Sequence, residues 1–273
     1  MAWDRNYGNS ADDFFIRHAI EEIDRTYGDR VRPKAKSLFK FGKNLAVGTS
    51  LETVWETGGT ETYVTTNAID TVSSSATEDT AVTLYLEGHT VTGTGTDAQF
   101  GFTSQLVELN GRNKVLLATP LARVSRSYVT SGTLVGDVYI AEDDTLTNGV
   151  PQTQSKIHLG VYHATNGDSQ SFKAATTLSN DDYLMVTSVI FSVGKKTTAT
   201  VDFSVEVRSV GSIFLPKFQA SLNTTGNDSI QIDAKPYFIV PKNADIRIEA
   251  LASTTNVEAD AMFIGILCEN TYE

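Results

Sequence analysis

From residue 44 onward the chain is written in short runs of Val, Thr, Ile, Tyr and Phe, cut every few residues by Gly, Asn, Asp or Ser. That texture restricts the fold to an all-β sandwich or barrel, because β-branched and aromatic side chains suit a pleated surface and the intervening residues reverse the chain. TAVTLYLEG alternates, which predicts Val82, Leu84 and Leu86 on an inward face. QLVELNGRNKVLLATPLARV carries Asn110-Gly111 between two strand-like runs, the strongest short hairpin signal in the chain. LVGDVYIA and SKIHLGVYHA follow, and the turn-rich interval 165–182 reads as the join between two halves. Beyond it, YLMVTSVIFSV, ATVDFSVEVR, SIFLPKFQAS, SIQID, KPYFIVP, ADIRIEAL and ADAMFIGILC predict seven or more strands, with Pro236 and Pro241 flanking a strand rather than interrupting one. The expected fold is all-β, with two β-sandwich, jelly-roll-like domains over 44–177 and 178–273.

Residues 1–43 have a different texture. Ser10 and Asp13 fit a capping box, and Ile16, Ile20, Ile23 and Tyr27 recur at helical spacing beside Phe15 and Ala19, with Gly28 and Pro33 closing the pattern. A helix of about 15 residues is marginal alone in water, so its apolar stripe needs a partner: this protein's own body, a neighbouring copy or a different protein. Between Arg25 and Lys43 stand seven basic residues and the single acid Asp29, a local net of +6 that leaves −17 on the rest of a chain whose total is −11. Such polarity suits docking. The candidate interface residues are therefore Phe15, Ile16, Ile20, Ile23 and Tyr27, expected to seat on an adjacent subunit, and Arg30, Arg32, Lys34 and Lys36, expected against an acidic surface. Few aromatics accompany these charges and the acidic body would repel a phosphate backbone, which argues against a nucleic-acid partner.

The chemistry of sites is thin. At 273 residues, 40% of them apolar, the chain can bury its cores without disulfides. The lone Cys268 lies in MFIGILC and reads as a small core residue. GTGTDA at 93–98 has the glycine spacing of a dinucleotide loop, but β-type sequence follows where a helix should start. His158 and His163 are five residues apart, on opposite faces of a strand, which argues against shared metal ligation. The acidic turns with Asp143, Asp144, Asp181 and Asp182 lack a calcium-loop pattern. Asn223 and Asn227 sit in glycosylation sequons that matter only in a secreted chain. No start of secretory type is visible and no apolar run approaches the roughly 18 residues of a spanning helix. The expectation is a protein made in a cytoplasm, outside any membrane, with no enzymatic activity, no cofactor and no metal.

FGKNLAVGTSLETVWETGG at 41–59, TVSSSATEDT at 71–80, LVELNGRNKV, LVGDVYIA and GKKTTATVDFSVEV follow one another in an order and texture that resembles a group of virion structural proteins of tailed bacteriophages. The resemblance spans roughly residues 41–268 and is most specific in the phrase G-x-x-x-x-V-G-T-S-x-E-T-V-W. It implies a capsid decoration or cement protein on the head surface, with the major capsid protein or another virion protein as partner and a homotrimer as the first oligomer to expect. The alternative is a tail, collar or head-fibre protein whose distal β domain binds a host-surface glycan. Read from its residues, the phrase is a fold-starting element: Gly48 at a turn, Thr49 and Ser50 bonding locally, Val54 and Trp55 beginning a strand towards Gly58-Gly59.

Overall fold

The computed structural model describes residues 11–28, 34–162, 169–194, 198–225 and 229–269. The all-β expectation holds: among the described residues one α-helix, α1 (Ala11–Tyr27), precedes a chain of antiparallel strands. First come β1 (Lys34–Val47) and β2 (Glu52–Thr53). Then follow β3 (Ile69–Ser74), β4 (Thr83–Thr92), β5 (Gln99–Glu108), β6 (Val115–Leu121), β7 (Arg123–Ser131), β8 (Asp137–Glu142), β9 (Leu146–Thr147), β10 (Val150–Pro151) and β11 (Ile157–Tyr162). The chain ends with β12 (Ala175–Thr177), β13 (Asp182–Val193), β14 (Thr200–Ser209), β15 (Leu215–Asn223), β16 (Ser229–Val240), β17 (Ala244–Ala252) and β18 (Val257–Glu269).

Among the described residues, the two largest hydrophobic cores are each enclosed by two sheets. One lies between the sheets β1-β18-β13-β16 and β12-β17-β14-β15, the latter extended by β2 on β17. Its centre is the stacked pair Phe191 and Phe203, with ring centroids 4.6 Å apart, surrounded by Val54, Val186, Val205, Ile246, Ile248 and Phe263. The other lies between β11-β8-β3-β6 and β5-β4-β7 and holds Ile69, Val72, Leu84, Leu86, Leu121, Val138, Ile140 and Leu159. Val82, Leu84 and Leu86 point inward as their alternation predicts.

The strand pairings group the chain differently from the division into 44–177 and 178–273. The second core draws only on residues 69–161, whereas the first takes Val47 and Val54 from one side of that segment and residues 174–267 from the other. Residues 69–162 are thus an insertion between β2 and β12 of a single sandwich-like layer pair. The cause is pairing: β1 runs along β18 from Lys34↔Glu269 to Val47↔Val257, and β12 lies along β17. Hydrophobic alternation marks strands but is silent about such distant partners.

The basic arm expected over 1–43 also changes character. Residues 34–43 are the edge strand of a four-stranded sheet rather than a stalk, and Gly42 sits so close to its neighbours that an added Cβ would lie 2.0 Å from the Val54 carbonyl oxygen. α1 packs on the outer face of the same sheet, where Ile20 and Ile23 are buried with Tyr183, Met185 and Cys268. Of the three partners open to the helix, Ile20 and Ile23 use this chain's own body. Burial contributes roughly 1.5–3 kcal/mol for each isoleucine, the stabilisation a short helix lacks in isolation.

Two turn expectations are corrected as well. Asn110-Gly111 closes no hairpin between paired strands: β5 pairs with β4 and β6 with β3, so the turn carries the chain from one sheet to the facing one. Gly111 is needed there, with φ of 56° and an added Cβ 2.8 Å from the Thr77 carbonyl oxygen. Pro236 falls within β16, not beside it. β16 is an edge strand, and its register against β13 shifts between Val186↔Phe238 and Ser188↔Asp233, so the proline occupies an irregularity where no ladder N–H is required.

Candidate functional site

Of the residues foreseen as an interface, the side chains of Ile20, Ile23 and Lys36 are described. Ile20 and Ile23 are covered by the protein's own sheet. Phe15, Ile16 and Tyr27 lie on α1 and Lys34 opens β1, with side chains outside the described residues, where Arg30 and Arg32 also fall. Lys36 is exposed and paired with Glu269 at 2.8 Å. What β1 does present to solvent is Phe39, 61% exposed, and Phe41, whose ring meets Phe172 edge-on at 5.3 Å.

The phrase 41–59 is used internally. Glu52 accepts hydrogen bonds from the backbone N–H of Gly48 at 3.0 Å and of Gly59 at 3.2 Å, and from Asn44 Nδ2 at 3.0 Å. Trp55 donates its indole N–H to the carbonyls of Gly58 and Gly59, which turn with φ of 72° and 68°. Val47 and Val54 enter the first core. The segment thus joins the two sheets of the first core, but the strand expected from Val54 and Trp55 is corrected: β2 ends at Thr53, and Trp55 makes only an isolated bridge to Lys173 before the turn at Gly58-Gly59.

A concentration of charge lies in the seam between the inserted segment and the rest of the chain. β17 supplies Asp245, Arg247 and Glu249 on one face while Ile246, Ile248 and Ala250 enter the core on the other. Strand register sets Arg208 opposite Asp245 and Glu206 opposite Arg247. Arg123, brought from β7, donates to Asp245 at 3.0 Å; Arg208 donates to the same carboxylate at 2.8 Å and Thr177 at 2.6 Å. Arg247 pairs with Glu206 at 2.9 Å and with Glu249 at 3.0 Å. The guanidinium groups alternate with rings: Arg123 lies 4.9 Å from both Phe100 and Tyr63, Arg208 4.2 Å from Tyr63 and 4.5 Å from Phe214, and Arg247 3.8 Å from Phe214.

Burial alone would raise the Asp245 carboxyl, but Arg123 and Arg208 outweigh it and hold the group below the usual carboxylate range. Further along the seam Lys173 pairs with Glu61 and donates to the carbonyls of Val124 at 3.0 Å and His158 at 3.2 Å. Lys40 of β1 donates to the Ser125 carbonyl at 2.8 Å. Phe100 and Asn180 join across the seam through backbone bonds of 2.8 Å to Asn243 Oδ1 and Phe100 O. The arrangement is a clamp: Arg123, Asp245, Lys173 and Glu61 each have an opposite partner, the condition under which buried charge is tolerated, while Lys40 is held by the Ser125 carbonyl.

Beside the clamp opens a cleft of about 780 Å³. Lys36, Lys40 and Leu38 of β1 form one wall, Glu87, His89, Phe102 and Arg126 of the β5-β4-β7 sheet the other, and Asp181, Asp182 and Glu269 the end. Burial brings the Lys40 ammonium down to about 8 and, with Lys40 and Arg123 nearby, His89 down to about 3. Of the cleft residues, the sequence singles out Lys36 as an interface residue, Lys40 as part of the basic arm and Asp181 and Asp182 as an acidic turn; Glu87, His89, Phe102, Arg126 and the group around Asp245 are passed over. One signal was present, the D-I-R-I-E alternation at 245–249, in which charges share a face with period 2 opposite an isoleucine face. His158 is buried and 3.1 Å from Glu142. Asp143 pairs with Lys114, and Asp144 accepts from the Thr153 N–H. Among the described residues no group of three or more His, Cys, Asp or Glu is placed to hold a metal ion, and no helix is long and apolar enough to cross a membrane.

No family model and no curated protein matches the chain. Among solved structures it is similar to VP2 of infectious bursal disease virus in a subviral particle, with 8% identity and a TM-score of 0.24 over 93% of this chain and 77% of that one. It is similar also to a chain of the T13 particle of the same virus, with 10% identity and a TM-score of 0.20 over 87% and 74%. Likeness at this level carries no weight for fold or function.

Proposed function

We propose that the chain is a non-enzymatic structural component of a phage virion, a capsid decoration or cement protein built as two jelly-roll-like domains and working as a homotrimer on the head shell. The observation that supports this most is the seam. Three arginines, three aromatic rings and Asp245 are committed to fixing one β unit against the other, the build of a rigid body that transmits stress across its joint. The major capsid protein or another virion protein is the partner, and the virion is the location.

The docking surface assigned here is the outer edge of β1. Exposed large apolar residues along an edge strand invite another chain, and Phe39 is the most exposed ring on this one. Burying it on a partner contributes roughly 1.5–3 kcal/mol, about a 10- to 100-fold change in affinity. Co-sedimentation of the protein with empty heads tests this: Phe39→Ser should weaken binding by that factor while leaving the fold intact. Light scattering should give a mass well above the 29.6 kDa of one chain. Mass spectrometry of purified virions should count hundreds of copies. A dozen or fewer would favour a tail, collar or fibre position, and a clean monomer that ignores heads would refute the decoration role.

A further inference from the structure

The cleft beside the seam has the makings of a ligand site independent of any place on a virion. Strand register puts His89 opposite Phe102, Glu87 opposite Ser104 and Arg126, and Tyr85 opposite Leu106 and Tyr128, all on the face of the β5-β4-β7 sheet turned away from its core. That face carries an aromatic platform: Phe102 is 57% exposed with its ring 5.6 Å from His89, and Tyr85 and Tyr128 stand 5.2 Å apart. β1 closes the other side with Lys40, buried, one of whose three donors is given to the Ser125 carbonyl.

His89 is 4% exposed, lines the cleft, and its Nδ1 has no hydrogen-bond partner. A buried ring nitrogen without a partner is costly unless something else supplies one; Nδ1 is closed to solvent as the ring stands, and a turn of the ring towards the cleft would offer it to a ligand hydroxyl. The ring is neutral at physiological pH because burial opposes its charging and Lys40 and Arg123 stand nearby, so it offers one donor and one acceptor rather than a cation.

We propose that this cleft binds a neutral saccharide unit, stacked on Phe102 and hydrogen-bonded by His89, Lys40, Glu87 and Arg126. Charge balance selects the class. Lys36, Lys40 and Arg126 are offset by Glu87, Asp181, Asp182 and Glu269, and Lys36 is already paired with Glu269. An anion would meet the carboxylates and a cation would meet the lysine and arginine. A hydroxyl both donates and accepts, so a polyhydroxylated ring satisfies both sets at once. Its C–H face is the apolar surface that an exposed aromatic ring covers, and the volume lies within the roughly 300–1,000 Å³ of small-molecule sites.

The full-length chain is tested by saturation-transfer NMR and calorimetry with D-glucose, D-galactose, D-mannose and N-acetyl-D-glucosamine, and with inorganic phosphate as the anionic probe. At least one sugar should bind saturably with a Kd on the order of 1 mM, and Phe102→Ala and Glu87→Gln should each weaken it about tenfold or more. Leu116→Ala, at an exposed position outside the cleft, should leave it unchanged. Circular dichroism establishes that each variant is folded. The proposal is overturned if none of the four sugars binds, if phosphate binds in their place, or if binding survives Phe102→Ala in the folded protein.

Discussion

Lowering the pH from 7.5 to 5 should destabilise this protein through His89, while Glu249, which burial pushes up to about 7, takes up its proton in the same window with the opposite sign and is common to the proteins compared. The ring stands on β4 beside Phe102 of β5, with Lys40, Asp245 and Arg123 the charged groups acting on it, and burial brings its folded-state value to about 3, well below the ordinary 6.5. A base whose folded pKa is depressed binds protons more readily when unfolded. Its contribution to stability is complete above pH 6.5 and falls as the pH drops from 6.5 towards 3. At pH 5 the loss relative to pH 7.5 is about 2 kcal/mol, a figure that barely changes so long as the folded value stays under about 4. In a chain of this size that corresponds to about 4–8 °C in Tm.

The assay is thermal unfolding by circular dichroism at pH 7.5 and 5.0 for the parent and His89→Gln. His158 is also depressed, first by burial, and contributes in the same window, but it is present in both proteins and cancels. Asp245, held low by its arginines, loses its contribution only as the pH falls below its ordinary 3.8. The parent should therefore lose about 4–8 °C more than His89→Gln between the two pH values. Equal losses in the two proteins would show that the ring is not held neutral by burial, and the reasoning would fail.

Asp245→Asn leaves buried Arg123 and partly buried Arg208 without their shared carboxylate, and should cost about 3–5 kcal/mol, read as the shift in denaturant midpoint at constant slope. Gly42→Ala forces a methyl to within 2.2 Å of the Ala174 amide nitrogen and should destabilise by at least about 3 kcal/mol, or prevent accumulation of folded protein, whereas Gly58→Ala, with nothing within 4 Å, should incur only the cost of its positive φ. Glu52→Gln weakens the acceptor shared by Gly48, Gly59 and Asn44 and should cost about 1–3 kcal/mol in the same measurement, with an unchanged value showing that the loop holds its shape through Trp55 alone.

What the sequence by itself determined is local. The alternation of Val82, Leu84 and Leu86, the isoleucine spacing of 16, 20 and 23, and the apolar setting of Cys268 reflect periods of 2 and 3.6, which any partner surface must respect. Strand class, an apolar stripe in need of cover and a fold-starting role for 41–59 follow from such patterns. Which surface provides the cover does not. Ile20 and Ile23 meet Tyr183 and Met185 some 160 residues away, and Lys34 faces Glu269, because closing those loops is repaid only by contacts that exist after both elements have formed. The same holds for the site. D-I-R-I-E announces a charged face on β17, yet its burial depends on Arg123 arriving from an insertion whose boundaries lie in pairings of β1, β2 and β12 with distant strands. A charge in a strand reads as solvent-facing until a second layer is laid over it, and only the tertiary structure decides where that layer falls.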